Sequence, residues 1–268
     1  MLSAVLAAWI AAAPAPVPDS TIQLNGHNLR LHFANACGSS AGAARVARDG
    51  PCTAALLVYA TGDGGWHRKD LDAYKQLVSF GYPIVGFDAR DYVTHLGGAE
   101  TTTPEALAAD YQRIITAARQ TLQLPVGGPV ILVGISRGAG LSVVAAGDDA
   151  LRASLAGVLA VALTREEEYV KWYQRLLRHE TRAEEAVMVA VYEYLPLLAD
   201  TPLAVVQSTR DHYLPAEEAR TLFGVDSPYR WLQPIEAANH SFGGARAQLY
   251  DAMRRAIEWI LSLQRSGG

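Results

Sequence analysis

A serine hydroxyl attacks a carbonyl only when a neighbouring base can take its proton. One segment of the 268-residue chain offers such a serine in the setting this chemistry needs. In Gly134-Ile135-Ser136-Arg137-Gly138 two glycines bracket Ser136. The apolar run Pro129–Val133 precedes them, and an Ala/Gly/Val-rich stretch follows to Gly147. A buried strand that turns sharply into a helix needs small residues on both sides of the serine. The turn lifts the hydroxyl to the sheet edge and aims the helix N-terminus at developing negative charge. The bland alternative is a structural tight turn.

Seven histidines are present. His240 stands just past the last strand pattern, in Asn239-His240-Ser241-Phe242-Gly243-Gly244, before a long final helix, where the base is expected. His27, His32, His95, His179 and His212 read as solvated or packing residues. An imidazole base also needs a carboxylate to fix its tautomer. Asp211, in Ser208-Thr209-Arg210-Asp211-His212-Tyr213-Leu214-Pro215, follows the penultimate strand pattern. Asp226 and Asp200 are its rivals. The order Ser136, Asp211, His240 is the serine–acid–histidine order of α/β-hydrolase sites.

The backbone N–H groups of Arg137 and Asp63 are expected to hold the oxyanion. Asp63 lies in Thr61-Gly62-Asp63-Gly64-Gly65-Trp66. Its carboxylate either turns outward and organises the loop or meets a cationic part of the substrate. Arg137 could hold a phosphate or carboxylate, or pair with Asp88 or Glu166. Asp63, Trp66, Arg137, Glu166 and Trp172 are the candidates for substrate contact. The run Glu166-Glu167-Glu168 also reads as a solvated, dipole-complementary helix start. Tyr169, Trp172 and Tyr173 also read as packing residues. No metal or organic cofactor is implied, since Gly62-Asp63-Gly64-Gly65 lacks the spacing of a dinucleotide or phosphate loop.

The surrounding pattern supplies the elements that must hold these groups. Thr21–Leu24 and Leu29–Phe33 flank Asn25-Gly26, a hairpin signal. Buried strands are expected at Ala54–Ala60, Pro83–Phe87, Pro129–Val133, Leu155–Leu163 and Leu203–Ser208, with a last strand at Arg230–Ile235. Helices are expected over Lys69–Phe80, from Thr103-Pro104 to Leu122, after Ser136, and over Gly244–Gln264. The alternation predicts an α/β-hydrolase fold: a mostly parallel sheet, helices on both faces, and the chemistry at the carboxyl ends of the strands. Thr164–Asp200 reads as helical, with no strand signal, and as a small helical cap inserted over that edge.

Bulk properties set the outer bounds. With 50% hydrophobic and 19% charged residues the chain can bury one large core. A net charge of -4 argues against a nucleic-acid partner. Leu2–Ala13 is apolar and too short for a span, and Pro14 breaks it, so residues 1–18 read as a signal peptide for export to the periplasm or beyond. Its departure from pattern is that no basic residue precedes the run. Cys37 and Cys52 bracket a Gly/Ala/Ser-rich segment. They read either as a disulfide, contributing roughly 3 kcal/mol, or as two unpaired small hydrophobes.

The blocks Gly62-Asp63-Gly64-Gly65-Trp66, Gly86-Phe87-Asp88, Thr103-Pro104-Glu105, Gly134-x-Ser136-x-Gly138 and Asn239-His240-Ser241-Phe242 together resemble the VirJ/AcvB group of bacterial virulence-associated proteins. The resemblance spans about Ala54 to Gln264, and its most specific part is the Gly-Asp-Gly-Gly-Trp block. It implies a periplasmic α/β-hydrolase that removes aminoacyl groups such as lysyl from phosphatidylglycerol. The family's nucleophile, acid and base would fall on Ser136, Asp211 and His240. The expected partner is therefore a small-molecule or lipid-headgroup ester, met by transient contact with a membrane surface, with the oligomeric state left open. Two other readings stand beside it: a general carboxylesterase or lipase, and a non-catalytic periplasmic interaction protein on a hydrolase fold.

Overall fold

Five apolar runs lie side by side at the centre of one sheet. They are Leu56–Ala60 (β3), Ile84–Phe87 (β4), Val130–Ile135 (β5), Leu155–Val161 (β6) and Leu203–Ser208 (β9). Nearly every residue in them is buried, as a sheet covered on both faces requires. The computed structural model describes residues 17–35, 55–96, 101–170, 187–224 and 227–266. The N-terminal hairpin Ser20–Leu24 (β1) and His27–Ala34 (β2) extends one edge, and Arg230–Ile235 (β10) closes the other. The order is β1-β2-β4-β3-β5-β6-β9-β10. The hairpin is antiparallel, to itself and to β4, and every other pairing is parallel.

Helices Arg68–Ser79 (α1), Ala89–Thr94 (α2), Pro104–Leu122 (α3), Arg137–Ala145 (α4), Asp149–Arg152 (α5), Ala216–Leu222 (α6) and Arg246–Ser266 (α7) flank this sheet. Two buried clusters result, one on each face. One contains Leu107, Tyr111 and Ile114 of α3 with Leu141 and Val144 of α4. The other contains Ala73 and Leu77 of α1 with Leu249, Met253, Ile257 and Ile260 of α7. The spacing of those α7 residues is that of one helix face. Helix α3 starts as its sequence predicts, with Thr103 accepting from the Ala106 N–H at 3.3 Å and Pro104 in the first turn.

The chain leaves β3 for β4 on one side and later returns to β5 on the other. This reversal places the loop after β3 and the turn after β5 together at the strands' carboxyl ends, where ligands bind in such sheets.

The expectation that Thr164–Asp200 is helical with no strand is corrected. Glu166–Val170 (β7) and Val187–Ala190 (β8) pair antiparallel in a separate two-stranded sheet, followed by a 3-10 helix over Val191–Leu198. Buried Glu167, Tyr169 and Val189 alternate with residues of the other face. Burial therefore has a period of two, although the triple glutamate looks like a helix start. Residues 171–186, including Trp172, Tyr173 and His179, lie outside the described residues, as do Cys37, Cys52, Asp226 and nearly all of the expected signal peptide (residues 1–16).

Candidate active site

Strand β5 turns into α4 at Ser136, whose backbone has φ 51° and ψ -115°. Such a conformation in a non-glycine residue costs about 1–3 kcal/mol and persists only where the surroundings enforce it. Here the Ser136 N–H donates to the Val161 carbonyl at 2.8 Å, and the Gly138 N–H to the Thr61 carbonyl at 3.0 Å. The flanking glycines are a steric necessity. A Cβ on Gly134 would run into the Gly138 carbonyl, and one on Gly138 into the carbonyl of Ala60. The two glycines read from the sequence thus let the turn close against β3.

His240 brings its ring to this serine from the loop after β10. Its Nε2 lies 2.9 Å from Ser136 Oγ, and its Nδ1 lies 2.7 Å from Asp211 Oδ2. A carboxylate oxygen accepts, so Nδ1 carries the proton and Nε2 is left to accept from the serine hydroxyl. The Asp211 side chain is fully buried and three further contacts hold its geometry. Oδ2 also accepts from Gln207 Nε2 at 3.1 Å, and Oδ1 accepts from the Tyr213 N–H at 2.9 Å. Gln207 in turn donates to the Leu214 carbonyl at 2.6 Å. Of the rival acids, Asp200 precedes β9 and sits at the opposite edge of the sheet.

The loop after β3 approaches the serine from the other side. A Cβ on Gly62 would lie 3.6 Å from Ser136 Cβ. Two carboxylates shape this loop: buried Asp70, which the sequence did not mark, and part-buried Asp88. Asp70 accepts from the Gly62 N–H at 2.7 Å, and burial raises its pKa. Asp88 accepts from the Trp66 N–H at 2.7 Å and from the Asp91 N–H at 3.0 Å, capping α2. A Cβ on Gly65 would meet Asp88 at 2.6 Å. Gly62 N–H is thereby occupied. The N–H groups of Asp63 and Arg137 make no hydrogen bond among the described residues, which leaves both able to meet a developing oxyanion.

Several expected side-chain contacts are replaced by others. Arg137 pairs with neither Asp88 nor Glu166. Its Nε donates to Asp63 Oδ1 and an Nη to the Glu168 carbonyl. The guanidinium is 4% exposed and the Asp63 side chain 58%. Because α4 begins with Arg137, this clasp joins the turn, the glycine loop and β7. Asp63 is therefore held by an internal cation rather than turned outward alone. Trp66 packs away from the serine: its ring stacks on His32 at 3.9 Å and meets Tyr74 at 4.9 Å, against Gly86. His32 is a packing histidine, as read, and burial lowers its pKa.

A cleft of about 960 Å³ opens over Ser136 and His240. Carboxylates of Asp63, Asp70, Glu166, Glu167, Glu168 and Glu218 line it, together with Lys69, Arg137, Arg165 and Arg246. Glu167 is buried, accepts from the Thr164 hydroxyl at 2.6 Å, and has its pKa raised by that burial. Tyr213 and Met188, 61% and 54% exposed, stand at the cleft as large apolar groups. The Tyr213 ring meets the His240 ring edge-on at 4.8 Å. Gln207 and Asp70 were missed by sequence reasoning. An amide side chain directly after the apolar run Leu203–Val206 was the available signal for Gln207. Asp70 offered none.

The strand order, the serine turn and the relay of hydrogen bonds define the class: an α/β-hydrolase fold. Solved structures agree. A serine hydrolase homologue from Coxiella burnetii is similar at TM-score 0.56 and 15% identity, over 91% of this chain and 99% of its own. Est1E from Butyrivibrio proteoclasticus is similar at 0.60 and 13%, over 91% and 99%. A serine hydrolase without lid from Xanthomonas campestris is similar at 0.57 and 14%, over 92% and 95%. No curated protein matches the chain in sequence. Within this fold the chain belongs to the family of the bacterial virulence protein VirJ, whose model matches residues 54–194.

Proposed function

We propose that the protein is a serine esterase that works through an acyl-enzyme. Ser136 Oγ attacks the ester carbonyl and passes its proton to His240 Nε2. Asp211 remains the acceptor behind Nδ1 and stabilises the imidazolium that forms. The N–H groups of Asp63 and Arg137 receive the oxyanion. His240 then protonates the departing alcohol, and water repeats the sequence to release the acid. The observation that carries this reading is the unbroken relay Ser136–His240–Asp211, at 2.9 and 2.7 Å.

The substrate we propose is an aminoacyl ester of an anionic phospholipid, such as lysyl-phosphatidylglycerol, met in the periplasm. The family resemblance implies it. Carboxylates outnumber cations in the cleft lining, which suits an acyl group bearing an amine. Tyr213 and Met188 offer an apolar rim to a lipid. One observation favours a second reading, a general carboxylesterase: the Arg137 guanidinium is already engaged by Asp63 and the Glu168 carbonyl, which leaves it less free to meet a phosphate.

Labelling by a fluorophosphonate probe tests the chemistry. It is expected in folded wild type and lost in Ser136→Ala. Absence of labelling in wild type would reject the enzyme reading in favour of an interaction protein. Incubation with lysyl-phosphatidylglycerol tests the substrate. Lysine release supports the aminoacyl reading, whereas brisk cleavage of nitrophenyl esters without lysine release leaves the general esterase.

A further inference from the structure

On the hairpin side of the sheet, His27 at the start of β2 faces Asp91 and His95 of the α2 segment. His27 Nε2 lies 2.9 Å from Asp91 Oδ2, and His95 Nδ1 lies 3.6 Å from Asp91 Oδ1. The two imidazoles stack at 3.4 Å with planes 1° apart. Ligand atoms of the three residues all fall within 4.8 Å of one another. The three side chains are 25–40% exposed, so solvent and ions reach them. We propose that His27, Asp91 and His95 form a binding site for a borderline divalent cation of the zinc type.

Three features carry the assignment. The donor set is two imidazoles and one carboxylate, which suits Zn²⁺ or Cu²⁺ and is wrong for Mg²⁺ or Ca²⁺. The spacing is already close. Ligands about 2.0–2.1 Å from a tetrahedral zinc ion sit about 3.3–3.4 Å apart; the His27 Nε2–Asp91 Oδ2 separation is 2.9 Å, and one ligand atom from each of the three residues lies within 4.8 Å of the other two. The supports of a metal site are present as well. His95 Nδ1–H donates to the Asp91 carbonyl at 2.8 Å, which fixes the tautomer with Nε2 as the free ligand. The turn before His27 is tied down by Asn25 Nδ2, which donates to buried Asp110 at 2.9 Å. The Tyr92 hydroxyl donates to the same carboxylate at 2.8 Å. Hairpin and α2 are therefore anchored to one group, and the ligands they carry keep a fixed relation.

Binding replaces the proton shared by His27 Nε2 and Asp91 with the cation, which the two histidines then ligate as neutral bases. To ligate one ion the two part-buried rings must turn out of their parallel stack, so that their in-plane nitrogen lone pairs converge on one point. Water completes the coordination. The cation would pin the edge hairpin to α2, whose cap Asp88 also holds the Trp66 N–H of the glycine loop.

Zinc titration of the chelator-treated, tag-free full chain by calorimetry tests this directly. One Zn²⁺ per chain is expected, with Tm rising by several degrees and no response to Mg²⁺. His27→Gln and His95→Gln should each weaken binding at least tenfold. Co²⁺ should give a visible ligand-field band that is lost in the double variant. A wild type that binds no zinc overturns the proposal, as does binding that the double variant leaves unchanged. Circular dichroism of the variants separates lost ligands from lost fold.

Discussion

His240 meets Asp211 at 2.7 Å and His27 meets Asp91 at 2.9 Å, so by distance the two histidine–carboxylate pairs are nearly alike. Their surroundings differ. Asp211 is fully buried, with Gln207 and the Tyr213 N–H on its remaining acceptor sites, whereas Asp91 is 40% exposed. A buried, fully bonded carboxylate locks one tautomer and one ring orientation, which suits a base that must return to its starting state each turnover. An exposed carboxylate beside two accessible imidazoles can exchange its partner, which suits a ligand. Burial of the acid, and not the length of the contact, is what differs between the two pairs.

The largest effect should come from applying the same substitution to both pairs. His240→Gln is expected to lower kcat by about 10⁴-fold or more, while His27→Gln leaves ester turnover within twofold. Comparable losses in both would break the distinction. Asp211→Asn should follow closely, at about 10⁴-fold, because an amide can present an N–H to Nδ1 and stabilise the wrong tautomer. Its fold and fluorophosphonate-accessible serine should persist, with labelling slowed. Asp91→Asn is expected to spare turnover and weaken zinc instead, so the two substitutions should sort onto separate readouts.

A smaller effect should come from the clasp that ties the glycine loop to the serine turn. Asp63→Asn keeps the backbone N–H but removes the charge that Arg137 holds. Looser positioning of that donor is expected to cost about tenfold in kcat with little change in KM, since the interaction matters only once the oxyanion forms. A rise in KM at constant kcat would show instead that Asp63 meets the substrate directly.

How far each region was legible follows the same division. Ser136 could be read because its two glycines are sterically compelled: any Cβ at either position would strike backbone. That Asp211 and His240 would lie next to Ser136 could be expected, because the fold delivers them from fixed strand ends in a fixed order. Residues whose roles depend on side chains meeting across the chain left little trace. Asp70 reaches the Gly62 N–H across a helix start, and Asp88 reaches the Trp66 N–H across 22 residues. His27 and Asp91 are 64 positions apart on elements whose pairing follows only from the sheet order, and the sequence implied no metal there. The cap strands were misread because three consecutive glutamates look solvated, although Glu167 is buried against α4, with its Cγ 2.9 Å from where a Gly140 Cβ would stand.

That buried glutamate supplies the smallest expected effect. Burial raises the Glu167 pKa above its ordinary value of 4.5, and Arg137 opposes the shift only in part. An acid with a raised folded-state pKa binds its proton more tightly in the fold than in the unfolded chain. The stability it contributes is therefore greatest below pH 4.5 and declines as pH rises from there through the folded pKa. Glu167→Gln keeps an acceptor for the Thr164 hydroxyl and cannot ionise. Its Tm relative to wild type should rise as pH is taken from 4 to 7. The opposite trend, with the variant losing ground at neutral pH, would mean that the ionised carboxylate is stabilised by Arg137 more than burial penalises it. The cap would then be held to the site by charge rather than by packing.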